Sequence, residues 1–419
     1  MIGPLQFLLG GTYMLNAVGI DISKGKSTVA VLRPFGEVVR KPFNISHTTK
    51  ELSSLVSYVK SLDGDTRVVM ESTGHYHEAV LKAFIDADVF VSAVNPQLIK
   101  MHDSSDNPLR HVKSDPADAK KIAQYALDKW TILRQHSAMD TAREQLKTLN
   151  TQYCFLVQQK VALKSNLISL LDLTYPGANE LFDSPVRPDG SEKWVDYVRS
   201  FWHVDCVRKI GLKTFTERYQ HFCRHHGYCY QKSKPKELFD EAKELIAVVP
   251  KDQTYKQMII SDAELLEACS ANIEKLRSQM DEVASSLPEY QTVLLMNGVG
   301  HTLGPQLIAE IGDISRFDHR TAITAFAGVD PGVDGSGKVV HESNQASKHG
   351  SPRLRKILFE VMQSLLKNAP EDDAVYRFMM KKKREGKLYQ VYMTAGANKF
   401  LRIYYGKVKE CIAAKSEDK

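Results

Sequence analysis

Four carboxylates stand where strands end and a helix begins. Asp21 closes the apolar run Gly19-Ile20-Asp21-Ile22-Ser23-Lys24, and Glu71 closes Val68-Val69-Met70-Glu71-Ser72-Thr73-Gly74. Asp115 and Asp118 lie three apart in Lys113-Ser114-Asp115-Pro116-Ala117-Asp118-Ala119, so the first turn of a helix directs both to one side, with Pro116 suited to that turn. Each acid alone has a simpler reading as a helix cap or a solvated turn. As a set they offer an oxygen-rich site for two Mg2+ or Mn2+ ions, because hard divalent cations prefer carboxylates. Two such ions about 4 Å apart clamp the attacking and leaving oxygens of a phosphodiester. The acids are then ligands, not proton shuttles.

Ser336 is the candidate of a different kind. It sits between Gly335 and Gly337 in a loop of small residues, Phe326 to Lys338, where its hydroxyl could approach a backbone phosphate unobstructed. The spacing leaves a nucleophile and a flexible turn both open. Cations follow: Lys348, Arg353, Arg355 and Lys356, then the run Lys381-Lys382-Lys383-Arg384, while Lys24 and Lys113 flank the acids. All suit phosphate contacts, and all suit a solvated surface equally. Gly298 and Gly300 separate two apolar helical segments within 293–313. That is the pattern of a helix-hairpin-helix, whose turn offers backbone N–H groups to a phosphate, and also of a plain αα-hairpin.

These residues need elements to hold them. The β-branched runs 16–22, 27–33 and 37–43 predict a three-strand meander, followed by a helix at 48–61, a strand at 67–70, a helix at 73–86 capped by Ser72 or Thr73, and a strand at 89–94. Strands alternating with helices after an antiparallel start indicate an α/β layer with a mixed sheet. Further on, Leu146, Leu149, Tyr153, Leu156, Leu163, Leu167 and Leu170 keep heptad spacing, as do Leu266, Cys269, Ile273, Leu276, Met280, Val283 and Leu287. Two such helices can pair as an antiparallel coiled-coil stalk or assemble with another subunit. Between them, 176–250 reads as an inserted module. Its His203, Cys206, His221, Cys223, His225, His226 and Cys229 match no zinc-ligand spacing, which favours ordinary packing.

Composition sets the class. The chain has 419 residues with 43% hydrophobic and 25% charged residues, values that argue against disorder or a membrane bundle and allow two or three domains. Six scattered cysteines and the absence of a basic leader fit a reducing cytoplasm, and Met14 is as good a start as Met1. Net charge is only +6, yet residues 353–419 hold 16 Lys+Arg against 8 Asp+Glu, so a tail of +8 is joined to a body of −2. A polyanion is expected at that tail.

The segments GIDISKGKSTVAVLRPFGEVV, VVMESTGHYHEAV, VSAVNPQLIK, KSDPADAKKIA, GVGHTLGPQLIAEIGD, FAGVDPGVDGSGK and SKHGSPRLRKIL, in that order, closely resemble the DEDD transposases of the insertion-sequence 110 family. The likeness covers about 16–170 and 255–415. It implies a RuvC-like (RNase H-fold) domain at 16–135 after an N-terminal extension at 1–15, a coiled-coil stalk with its insertion at 136–290, and a mainly helical C-terminal transposase domain at 291–419. It also implies a recombinase acting on double-stranded DNA, with a non-coding RNA bridging donor and target, in the cytoplasm near the nucleoid. Carried over by position, Asp21, Glu71, Asp115 and Asp118 match the family's acidic tetrad and Ser336 its serine nucleophile, which implies two metal ions, a covalent phosphoserine link and a site shared between subunits of a dimer or tetramer.

Three other readings compete. A RuvC-like nuclease would hydrolyse branched DNA with water and leave Ser336 as a turn residue. A sugar kinase or ATPase would need a second Gly-rich phosphate loop, for which the sequence has no candidate. An inactive nucleic-acid-binding scaffold would keep the basic residues and lose the metal chemistry.

Overall fold

A computed structural model describes residues 14–72, 75–94, 96–106, 114–136, 141–330, 346–348 and 350–417. The chain divides into two compact units, Met1–Ala138 and Met139–Lys419.

The first unit is a five-stranded sheet in the order β3-β2-β1-β4-β5. Its strands are β1 (Leu15–Ser23), β2 (Lys26–Arg33), β3 (Glu37–Ser46), β4 (Asp65–Glu71) and β5 (Val91–Val94), with helices α1 (Thr49–Lys60), α2 (Glu78–Ile85), α3 (Pro96–Asp106) and α4 (Asp115–Asp128). β1 pairs antiparallel with β2 and parallel with β4, and β4 pairs parallel with β5. An antiparallel meander joined through its first strand to parallel neighbours is the strand order of the RNase H fold. Alternation divides the side chains between two faces. Val18, Ile20, Ile22, Val68 and Met70 pack with Leu52, Leu55 and Val59 of α1 and Val80, Leu81 and Phe84 of α2. Ala17 and Val69 turn the other way, onto Ile122, Ala123 and Ala126 of α4.

The helix expected at 73–86 is shorter. α2 begins at Glu78, and Ser72 extends the sheet edge instead of capping it: its N–H donates to the Val94 carbonyl at 2.9 Å and its hydroxyl to the same oxygen at 3.2 Å.

The second unit is helical. Its two longest helices, α5 (Thr141–Thr174) and α10 (Gln253–Ser285), pack antiparallel, as contacts of opposite sense along them require. Cys269 meets the Leu156 carbonyl at 3.4 Å, Asn166 donates to Asp262 at 2.6 Å, and Arg143 pairs with Glu289 just past the end of α10. Of the heptad positions, Leu146, Leu167, Leu266, Cys269, Ile273 and Met280 are buried, whereas Tyr153, Leu156 and Leu163 are half-buried.

The segment between these helices folds as α6 (Lys193–Ser200), α7 (Asp205–Arg208), α8 (Leu212–His225) and α9 (Lys234–Glu244). Its aromatic core is built on Tyr175, Tyr197, Phe215, Tyr219 and Phe222, completed by Leu167 and Leu171 of α5 and Leu266 of α10. Cys206 and Cys223 belong to that core, and His203 lies within hydrogen-bonding distance of the Val249 carbonyl at 3.1 Å, so both residue types are used in packing. Beyond α10 come α11 (Tyr290–Leu294), α12 (Leu303–Ile311), α13 (Arg320–Ala327), α14 (Pro352–Asn368), α15 (Ala374–Arg384) and α16 (Tyr389–Glu417), around one core that also takes in Leu146 of α5. No helix among the described residues is long and apolar enough to cross a membrane.

Candidate functional site

The acids gather on one face of the sheet. The last β1–β4 rungs are Gly19 opposite Val69 and Ile20 opposite Met70, so Asp21 and Glu71 follow side by side at the strand ends. By alternation both turn to the α4 face. α4 approaches closely because residue 19 has no side chain: a Cβ there would stand 2.3 Å from both the Ala119 carbonyl oxygen and the Ala123 nitrogen. The first turn of α4 carries Asp115 and Asp118, with Ser114 as the capping residue and Pro116 inside the turn.

Electrostatics records the crowding. Partial burial, then the charges of Asp115 and Asp118, push the Asp21 carboxyl up to about 6. Burial, then Asp21 and Asp118, push Glu71 above its ordinary range. Lys121 stands 3.3 Å from Asp118 as a partial counter-charge. Four carboxylates, with Asp21 and Glu71 raised by their neighbours, suit a divalent cation in chemical type. Among the described residues, however, no three His, Cys, Asp or Glu side chains are drawn together closely enough to hold an ion as they stand. Lys24 is exposed at the β1–β2 turn, and Lys113 lies outside the described residues.

In the second unit, Ser336 also lies outside the described residues. The two ends of its loop are tied together. The Ser347 N–H donates to the Asp330 carbonyl at 2.9 Å and its hydroxyl to the Asp330 carboxylate at 2.6 Å. Gly328 and Gly350 pass so close that a Cβ on Gly350 would stand 2.1 Å from the Phe326 carbonyl oxygen. One terminal nitrogen of the Arg355 guanidinium donates to the carbonyls of Ala327 and Gly350, both at 3.0 Å, and so fastens the base of the loop. Lys348 is exposed with φ +55°, Arg353 donates to Thr151 of α5 at 3.0 Å, and Lys356 faces Glu360 at 3.6 Å. Lys381, Lys383 and Arg384 are exposed at the end of α15, while Lys382 pairs with Glu385 at 2.7 Å.

The Gly298–Gly300 turn joins α11, of only five residues, to α12. Gly298 has φ +82°, and a Cβ on it would meet Val361 and Leu365 of α14 at 2.9 Å, whereas one on Gly300 would meet nothing within 4 Å. Gly298 therefore serves packing, and Gly300 leaves its backbone open. In the sequence Gly19 carries no signal beyond its place two residues before the acid, and Lys399 and Arg402 look like ordinary surface residues of a long helix.

Comparison with known proteins places these features in a family. Residues 18–176 match the DEDD transposase model of IS110 elements, and residues 290–377 match that of the IS116/IS110/IS902 transposase family. The chain belongs to the IS110 family of transposases. The two matches fall in chain order and together take in more than half of the 419 residues. Relatives of this IS110 protein include the pilin gene-inverting protein of Moraxella lacunata, 24% identical over 190 residues, 41% of this chain and 58% of the relative. Another is the uncharacterized 43.6 kDa protein of insertion element IS110 from Streptomyces coelicolor, 22% identical over 247 residues and 59% of each chain. The chain thus spans less than two thirds of these relatives. Among solved structures, Thermus thermophilus RuvC in complex with a Holliday junction substrate aligns at 15% identity over 28% of this chain and 96% of its own, with a TM-score of 0.22, too slight to add to the strand order.

Proposed function

We propose that this IS110-family chain is a transposase or recombinase of an insertion sequence that cuts and rejoins DNA strands. The observation that carries the proposal is the convergence of Asp21, Glu71, Asp115 and Asp118 on one face of an RNase H-type sheet. Asp21, Glu71 and Asp118 would hold two Mg2+ or Mn2+ ions together with Asp115 once side-chain rotation closes the cluster. When bound, the ions neutralise charge on the scissile phosphate and on the oxygens entering and leaving it.

In this reading the Ser336 Oγ bonds to phosphorus as the bond to the 3′-oxygen breaks. A general base takes the hydroxyl proton, and the departing 3′-oxygen takes up a proton from solvent or from that conjugate acid to leave as a free 3′-hydroxyl. Rejoining reverses the step: a 3′-hydroxyl attacks the phosphoserine, and the serine leaves. Asp330, Ser347 and Arg355 hold the base of the loop that carries Ser336. A homo-dimer or tetramer with composite sites, a bridging RNA from the element, and coiled-coil and helix-hairpin-helix roles for α5–α10 and the 298–300 turn complete the proposal. The domain limits stay at 16–135, 136–290 and 291–419.

The test is strand cleavage with Mn2+ on a DNA carrying an element junction, with denaturing gels to reveal protein–DNA adducts. Ser336→Ala should abolish the covalent adduct, and Asp21→Asn should abolish cleavage altogether. Cleavage that survives Ser336→Ala without an adduct would transfer the role of nucleophile to water, the chemistry of a RuvC-like nuclease. RNA that co-purifies with the wild-type chain and maps to the element's own flank is expected.

A further inference from the structure

A cavity of about 1210 Å3 opens in the second unit between the base of the 331–345 segment and helices α14, α15 and α16. Its charge is one-sided. Lys348, Arg355, Lys356, Lys399 and Arg402 line it, and among the described residues no acid does. Arg355 is tied to carbonyls, and Glu360 faces Lys356 at 3.6 Å from outside the lining, which leaves Lys348, Lys399 and Arg402 as the cations directed to a ligand. The walls are not wholly polar, since Phe359 and Phe378 contribute to them, with the Lys399 ammonium 4.8 Å from the Phe378 ring centre.

Cations gathered in a wall without acids call for a polyanion, and aromatic rings beside them suit bases that are not stacked in a duplex. The volume exceeds the ~1,000 Å3 that pockets for small ligands reach, so a chain segment fits better than one metabolite. Duplex DNA would offer this recess only its phosphate ridge, leaving the apolar wall without a partner. We infer that this cavity holds a single-stranded polynucleotide segment, its phosphates on Lys348, Lys399 and Arg402 and a base against the phenylalanine wall. The inference deepens the proposed strand-transfer function and rests on it, by naming where a strand parted from its complement is kept.

The test uses the full chain and fluorescence anisotropy with a labelled single-stranded DNA oligonucleotide, an RNA of the same sequence, and the matching DNA duplex. Lys399→Gln/Arg402→Gln should weaken single-strand binding roughly tenfold and lower the slope of log affinity against log salt by about 1.4, from ~0.7 per neutralised phosphate. Duplex affinity should change less than twofold, and tighter binding of DNA or of RNA identifies the source of the strand. Unchanged single-strand affinity, or an equal loss on duplex, overturns the inference. Should the double variant fail to fold, Lys348→Gln, at an exposed position, carries the same comparison. Asp21→Asn separates the two readings: it should bind single strands normally while losing cleavage. A wild-type chain that binds single strands through these residues but never cleaves would refute the strand-transfer reading and leave the cavity assignment standing.

Discussion

Gly19 governs the acids without being one of them. Because a Cβ there would press on α4 backbone at 2.3 Å, Gly19→Ala must displace the helix that carries Asp115 and Asp118. A loss of about 1–3 kcal/mol is expected, as for other overpacked sites, with strand cleavage falling further than stability. Urea unfolding and cleavage assays on the same sample check both. Asp21 makes a pH prediction whose sign is fixed by its raised carboxyl, near 6 when folded against about 4 in an unfolded chain. The folded state keeps that proton longer, so the unfolded chain ionises first as pH rises. Without divalent metal, stability should therefore fall between about pH 4 and 6 and then level off. Asp21→Asn should flatten that fall. Thermal melting in the presence of a chelator, across that range, is the measurement, and a flat wild-type profile would refute it.

At the scale of elements, the two glycines of one turn have separable duties. Gly298, at φ +82° and packed on α14, cannot take a side chain without strain, so Gly298→Ala should lower the melting temperature by several degrees. Gly300 has open space around its Cα, so Gly300→Ala should fold normally. Weaker nucleic-acid binding by Gly300→Ala would then report on the backbone of the hairpin turn, and unchanged binding would reduce the turn to a connector. A second clasp joins the inserted module to α5. Burial alone would raise the Glu192 carboxyl, but hydrogen bonds from Lys164 at 2.7 Å and Trp194 at 2.8 Å outweigh it and hold the carboxyl below its ordinary value. That stabilisation is present at neutral pH and is lost as acid protonates the folded carboxyl.

Across the whole molecule, charge is partitioned. The net +6 combines a −2 body, which includes the tetrad, with a +8 tail. Three of the four cations at 381–384 are exposed, and among the described residues only Lys382 of that run has a close acidic partner. Replacing Lys381, Lys383 and Arg384 by glutamine should reduce the salt dependence of duplex binding by about 0.9 for each phosphate left without its cation. Affinity measured at several salt concentrations would show it, and an unchanged slope would remove this run from the interface. Stability should be little altered, because solvated surface charges contribute little to folding.

The sequence alone determined much of this protein. Apolar β-branched runs indicated the strands of the first unit, heptad spacing indicated the two long helices, and position at a strand end singled out Asp21 and Glu71, because each of these follows from local sequence. It could not determine that Ser72 would bond to β5 instead of capping a helix, since that depends on a partner 22 residues away. Nor could it determine that Arg355 would fasten a loop base, or that Lys399 and Arg402 would line one recess with Lys348. Those are contacts between residues distant in sequence, and they exist only once helices and loop ends have packed. The acids themselves lay in between: their types were legible one by one. Only the approach of α4 over Gly19 gave them a shared electrostatic site.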